Sequence, residues 1–212
     1  MNTDDLIAAL STDLAPAPRN WVSRNLALGM ATGLAGALLL WLALYGPRPD
    51  LADAAGTWPF WMKFAYTLAL AAGGLWLLGR AGRPGMAMTP PALTLLAPVS
   101  LLILAAGLAL ADPEADMPGL ILGHSAATCS IAIALLSLPA LAGALWALKR
   151  LAPTRLTEAG AGAGFFAGSE GAFVYAFYCT EDAAPFVALW YTLGILLTAT
   201  LGAFLGRALL RW

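Results

Sequence analysis

The sequence predicts an all-α, polytopic membrane fold of six transmembrane helices preceded by a short N-terminal amphipathic helix. Three observations carry this expectation. Of the 212 residues, 60% are hydrophobic and only 11% charged. The apolar residues gather into runs near the ~20 residues that carry a helix across a bilayer core. The basic residues fall almost entirely in the loops at one end of those runs.

The runs are 26–45, 58–78, 92–110, 126–148, 156–178 and 186–210. Helices satisfy their own backbone hydrogen bonds in lipid, and the two-residue alternation of a barrel strand is absent, so each run reads as a helix. Arg19 and Arg24 precede the first run, and Ala52-Asp53-Ala54 loosely resembles a signal-peptide cleavage site. The apolar stretch is too long for a signal peptide, which predicts a retained helix. Pro98 and Pro139 interrupt the third and fourth runs, where they read as kinks.

Arg19, Arg24, Arg80, Arg83, Lys149, Arg150, Arg155, Arg207 and Arg211 all map to one side, leaving Arg48 in an opposite loop and Lys63 inside a run. Basic loops stay cytoplasmic, so both termini are expected inside. The opposite loops carry Asp50, Asp53, Asp112, Glu114, Asp116, Glu181 and Asp182. The net charge of −1 therefore conceals a basic inner face. Such a face is the ordinary result of insertion and contact with the lipid bilayer, and no basic stretch is interleaved with aromatics, so no direct nucleic-acid role is expected. Residues 1–25 form a cytoplasmic leader and 26–212 the bundle.

The leader has its own pattern. Thr3 reads as an N-cap, Asp4 and Asp5 lie where the helix dipole favours acids, and Leu6, Ile7, Leu10 and Leu14 line one face, with Pro16 and Pro18 ending the helix. A helix this short is marginal alone in water, so its stripe needs a surface to cover. That surface is the inner leaflet or a groove on a cytosolic protein.

The fifth run carries Gly160, Gly164 and Gly168 at four-residue spacing, with Gly162 and Gly171 beside them. Small residues in this register let helices approach closely and predict a central position in the bundle. Lys63 and Glu170 are the ionisable residues farthest from the ends of the runs. At similar depth, each is the other's expected partner, with outward snorkelling of Lys63 as the alternative. Hydrolytic chemistry has little to work with: His124 is the single histidine, and neither a His-Glu-x-x-His pair nor a Gly-x-Ser-x-Gly elbow occurs.

Cys129 and Cys179 are the only thiols, and the topology puts both at the outer edge of the membrane. In an oxidising compartment they can form a disulfide if their α-carbons come within about 7 Å, or bind a soft metal with His124, Glu181 or Asp182. Two unrelated small residues at a helix interface are the plain alternative.

Several segments together resemble one family. They are Thr3-Asp4-Asp5-Leu6-Ile7, Gly123-His124-Ser125 with Cys129, Trp146-Ala147-Leu148-Lys149-Arg150 with Ala152-Pro153-Thr154-Arg155, and Cys179, Glu181-Asp182, Phe186, Trp190-Tyr191, Gly194 and Leu210-Arg211-Trp212. In combination, over nearly the whole chain, they resemble the NrsF-type membrane anti-sigma factors. The resemblance implies a multi-pass bacterial inner-membrane regulator, not an enzyme, that holds an extracytoplasmic-function sigma factor until stress releases it. It implies no resident cofactor, with a transient metal ion as one form of signal. On this expectation the leader grips the sigma factor, and a reaction at the thiols shifts the fourth and fifth helices and weakens that grip. The competing reading, a small membrane transporter or thiol oxidoreductase, rests on Lys63, Glu170 and the thiol pair.

Overall fold

A computed structural model describes residues 2–12, 20–83 and 85–211, and these contain helices and turns with no strand. The helix α1 spans Thr3–Ser11, α2 Trp21–Leu44, α3 Leu51–Ala54, α4 Trp58–Ala81, α5 Thr89–Thr94, α6 Leu96–Leu110, α7 Met117–Leu122, α8 Ala126–Leu136, α9 Leu138–Lys149, α10 Leu156–Tyr175 and α11 Ala184–Phe186. A π-helical turn, Val187–Tyr191, joins α11 to α12, Thr192–Leu209. α2 begins inside the segment assigned to the leader, because the apolar pattern starts later than the helix itself.

Apolarity and length together single out fewer spans than six. Among the described residues, four helical stretches are long and apolar enough to cross a membrane: Trp21–Leu44, Trp58–Ala81, Thr89–Leu110 and Ala184–Leu209. A fifth is the pair Thr128–Leu136 and Leu138–Lys149 taken together, although it bends by 41°. α10 has 20 residues but is less apolar than these, being rich in glycine and carrying Glu158 and Glu170. Its surface is instead largely enclosed by protein: Ala163, Ala167, Ala172 and Ser169 are wholly buried.

The breaks have local causes. Proline has no N–H to give the carbonyl four residues back, and the chain loosens within a turn before it. α5 and α6 part at Leu95, before Pro98, and α8 and α9 part at Ser137, before Pro139. The carbonyl left without its helical donor by Pro139 is that of Leu135, while the Ile133 carbonyl accepts both the Ser137 N–H at 3.0 Å and the Ser137 hydroxyl at 2.6 Å.

Glycines set the packing. A β-carbon at Gly160 would collide with the Gly202 carbonyl, one at Gly164 with the Thr198 carbonyl, and one at Gly168 would lie 2.9 Å from the Ile195 α-carbon. The α10 stripe therefore lies backbone to backbone against α12. Gly29 and Gly33 play the same part for α2 against Gly143 and Ala140 of α9. α10 also packs on α4, α8 and α9, which makes it the central helix.

In α1 the N-cap is Asn2, one residue earlier than expected, and its backbone N–H donates to the Asp5 carboxylate at 3.2 Å. Asp5 three positions on completes this arrangement better than anything available to Thr3. The helix ends at Ser11. Leu14, Pro16, Pro18 and Arg19 lie outside the described residues.

Candidate functional site

Two ends of the bundle carry the chemistry, and the thiol end is the more tightly built. Past Tyr175 the last turn of α10 unwinds, with the Cys179 N–H still reaching the Tyr175 carbonyl at 3.1 Å. The carbonyls beyond that point have no helical partner, and a helix C-terminus carries partial negative charge. Two cations from elsewhere in the chain supply the missing donors.

Lys63 of α4 is completely buried. Its Nζ donates to the Cys179 carbonyl at 2.8 Å, to the Glu181 carbonyl at 3.2 Å and to Asp182 Oδ1 at 2.5 Å. Arg48, between α2 and α3, donates through Nη1 to the Cys179 carbonyl at 3.3 Å and to Asp182 Oδ2 at 3.0 Å. Its Nε and Nη2 fork onto Asp50 at 2.8 and 2.7 Å, and its backbone N–H donates to the Phe177 carbonyl at 3.0 Å. Asp182 thus bridges two cations, which in turn clamp the segment carrying Cys179. The hydrogen bond from Arg48 holds the Asp50 carboxyl down at about 2 and, reciprocally, raises the guanidinium.

Cys129 of α8 and Cys179 are buried in the same apolar cluster, alongside Tyr175, Phe186 and Tyr191, and both are free thiols. Within it the Cys129 thiol, joined by the nearby Lys63 charge, draws the Cys179 thiol below its ordinary range despite burial. The π turn brings Tyr191 to this cluster. It is anchored beside it by the Ser130 hydroxyl donating to the Trp190 carbonyl at 2.7 Å, and by the Trp190 indole donating to the Ile121 carbonyl at 2.8 Å.

This geometry corrects two expectations. Lys63 pairs with Asp182 and not with Glu170, whose Oε1 is buried without a hydrogen-bond partner. Equal depth does not make a pair. Lys63 reaches a segment that offers a carboxylate and two carbonyls, a fuller set than one carboxylate on the neighbouring helix. The metal set Cys129, Cys179, His124, Glu181 and Asp182 does not assemble either. Among the described residues no group of three or more such side chains is placed to hold an ion. Asp182 is engaged by the two cations. Glu181 Oε1 accepts from the His124 backbone N–H at 2.7 Å and lies 3.3 Å from its ring Nδ1, while the imidazole stands in solvent. That approach needs Gly123, whose φ of +50° and closeness to the Glu181 carboxylate exclude a side chain.

Arg48 and its links were missed by sequence reasoning. The signal was present: Arg48 is the one loop cation that violates the basic-side pattern, and such a residue asks for a local partner.

The opposite end is open. Arg150 stacks over the Trp146 ring at 4.2 Å, Arg155 meets Glu158 at 3.1 Å, and the Arg207 Nε donates to the Thr157 hydroxyl at 2.8 Å. These three cations remain exposed. In α1 no residue is buried; Leu6, Ile7 and Leu10 are 42%, 59% and 68% exposed, and Asp4 and Asp5 face solvent.

A family model described as negative regulator of sigma F matches residues 10–212. The probable anti-sigma-F factor NrsF of Azospira oryzae is 39% identical over 215 residues, covering all of both chains. The anti-sigma-F factor NrsF of Caulobacter vibrioides is likewise 39% identical over 215 residues and fully covered. No solved structure matches the chain. With a thiol-bearing, ion-clamped segment at one end of the bundle, an uncovered amphipathic helix in the leader, and a family match and full-length relatives, the chain belongs to the family of negative regulators of sigma F.

Proposed function

We propose that the chain is an anti-sigma factor of the bacterial inner membrane. It crosses the bilayer six times with both termini in the cytoplasm, holds an extracytoplasmic-function sigma factor through its leader, and releases it when the periplasmic thiols react. The protein regulates and does not catalyse. The observation that carries the reading is α1, a capped helix whose apolar stripe, Leu6, Ile7 and Leu10, is exposed, in a chain whose full-length relatives are named anti-sigma-F factors.

The stripe supplies apolar anchors for a groove on the sigma factor, with Leu14 extending it in sequence. Asp4 and Asp5 meet basic residues that otherwise face DNA phosphates. At the thiol end, a two-electron oxidant joins the two sulfurs with loss of both thiol protons. Forming that bond pulls on the segment whose Cys179 carbonyl is held by Lys63 and Arg48. Arg48 lies just past the C-terminal end of α2 and the leader precedes its N-terminal end, so a loosened clamp acts on the grip through the full length of that one helix. The alternative of a resident metal site has less support, because the candidate carboxylates are already engaged.

The test is co-purification of the sigma factor with the detergent-solubilised chain. Leu6→Ser with Leu10→Ser is expected to weaken binding by roughly 2–4 kcal/mol, a hot-spot loss, with membrane levels unchanged. Undiminished capture by the double variant would move the contact to the basic loops.

A further inference from the structure

α2 and α4 both lie against α10 but scarcely touch each other. Between them runs a groove of about 520 Å³, within the ~300–1,000 Å³ range of small-molecule sites. Its walls are aliphatic: Ala27, Ala31 and Leu34 on α2, Leu68 and Ala71 on α4. Alanines on both walls leave room between the two helices. α10 forms the floor, which carries the groove's single ionisable group, Glu170.

Glu170 is 7% exposed, and its Oε1 has no hydrogen-bond partner. A carboxyl in such surroundings is costly and marks a site unless something answers it. The nearby cation, Lys63, is committed to Asp182 and two carbonyls. A lipid acyl chain would fill the groove and offer the carboxyl nothing. A second copy of the chain, presenting the same face, would bring another carboxyl and no free cation along this groove.

We infer that this groove is a binding site for a single-chain lipophilic amine, with the ammonium on Glu170 and the alkyl tail along the alanine-lined cleft between α2 and α4. The inference rests on the membrane-spanning reading. Glu170 lies about 7 Å short of the Tyr175 end of α10, at 1.5 Å per residue, so the head group sits below the bundle end and the tail runs toward Ala27. A proton passes between carboxyl and amine as the ion pair forms, and no other reactant is needed. An occupant here wedges α2 away from α4, and α2 leads into the leader.

The test places the full chain in phosphatidylcholine nanodiscs with a diazirine-bearing dodecylamine and maps crosslinks by mass spectrometry. Labelling is expected to concentrate on residues such as Ala31 and Leu68 and to be displaced about tenfold better by dodecylamine than by dodecanol, as a charge-assisted contact requires. Glu170→Gln is expected to lower labelling about tenfold. Ala31→Phe, which fills the groove from α2 and leaves the carboxyl in place, gives a comparable loss. Equal displacement by dodecanol, or labelling that survives in either folded variant, would overturn the site. Equal displacement by phosphatidylethanolamine would overturn the free amine in favour of a lipid head group. Labelling spread evenly over the outer helices would overturn the site alone, whereas failure to incorporate into nanodiscs would overturn the membrane reading as well.

Discussion

The two ends of the bundle treat their cations in opposite ways. At the thiol end Lys63 and Arg48 are buried, and five of their side-chain hydrogen bonds end on one short segment, residues 179–182. At the opposite end Arg150, Arg155 and Arg207 are exposed, and each is engaged by a neighbouring side chain. A buried, saturated ion network favours one arrangement, because partial separation leaves charges unpaired in poor solvent. Exposed cations act through a screened field and adapt to whatever approaches. On the proposed function, the contrast suits a detector at one end and a docking surface that accepts and releases a partner at the other.

The sharpest way to break the comparison is to remove the bridging carboxylate. Asp182→Asn leaves Lys63 buried without a counter-charge, and a loss of about 3–5 kcal/mol in unfolding free energy is expected in detergent. Arg155→Ala at the open end should cost under about 1 kcal/mol. Equal losses would mean that burial does not distinguish the two ends. A double-mutant cycle sharpens the point: Lys63→Met should couple to Asp182→Asn, while Lys63→Met and Glu170→Gln should add.

The next largest effect concerns the scaffold that fixes both ends. Gly164→Ala sets a β-carbon against the Thr198 carbonyl and 2.7 Å from the Ala199 α-carbon, so α10 and α12 must part. A loss of about 1–3 kcal/mol is expected, read as a lower Tm. The same substitution at Gly107, where a β-carbon meets nothing within 4 Å, should be nearly silent or slightly stabilising.

How much of this was legible in the sequence depends on the range of the interaction involved. The glycine register of α10 announced close packing because i, i+4 spacing is a property of the helix itself. Cys129 and Cys179 were readable as lying at one end of the bundle because each sits near the same end of consecutive antiparallel helices, and both fall in one buried cluster. The interruption before Pro98 and the bend before Pro139 followed from a missing N–H. What was not legible depended on rotation and on the path of irregular chain. Depth along a helix suggested Glu170 for Lys63, but only the fold shows residues 179–182 turning back over α4. Asp182 and Glu181 read as metal ligands because composition cannot say which donor has already claimed a carboxylate. The fifth run read as a central span, and α10 holds that place through burial among other helices more than through its own apolarity.

The smallest effect is a pH dependence at the rim of the clamp. Asp50 is held at about 2, below its ordinary 3.8, chiefly by its hydrogen bond from Arg48. A depressed carboxylate contributes stability above its unfolded value, and that contribution is lost as pH falls through the folded one. The stability difference between the parent and Asp50→Asn should therefore be constant above about pH 4 and fade toward about pH 2. Thermal unfolding across this window checks it, and a difference independent of pH would place the Arg48 contact elsewhere.

The most direct measurement of the account is the affinity of the sigma factor for the full chain in nanodiscs, with the thiols reduced and then oxidised, in the parent and in Cys129→Ser and Cys179→Ser. The account predicts that oxidation of the parent forms an intramolecular disulfide and raises the Kd by about tenfold or more, a coupling on the order of 1–3 kcal/mol. Both serine variants should bind like the reduced parent under either condition. An unchanged Kd on oxidation, with the disulfide verified by mass spectrometry, would contradict the claim that the thiol end governs the leader.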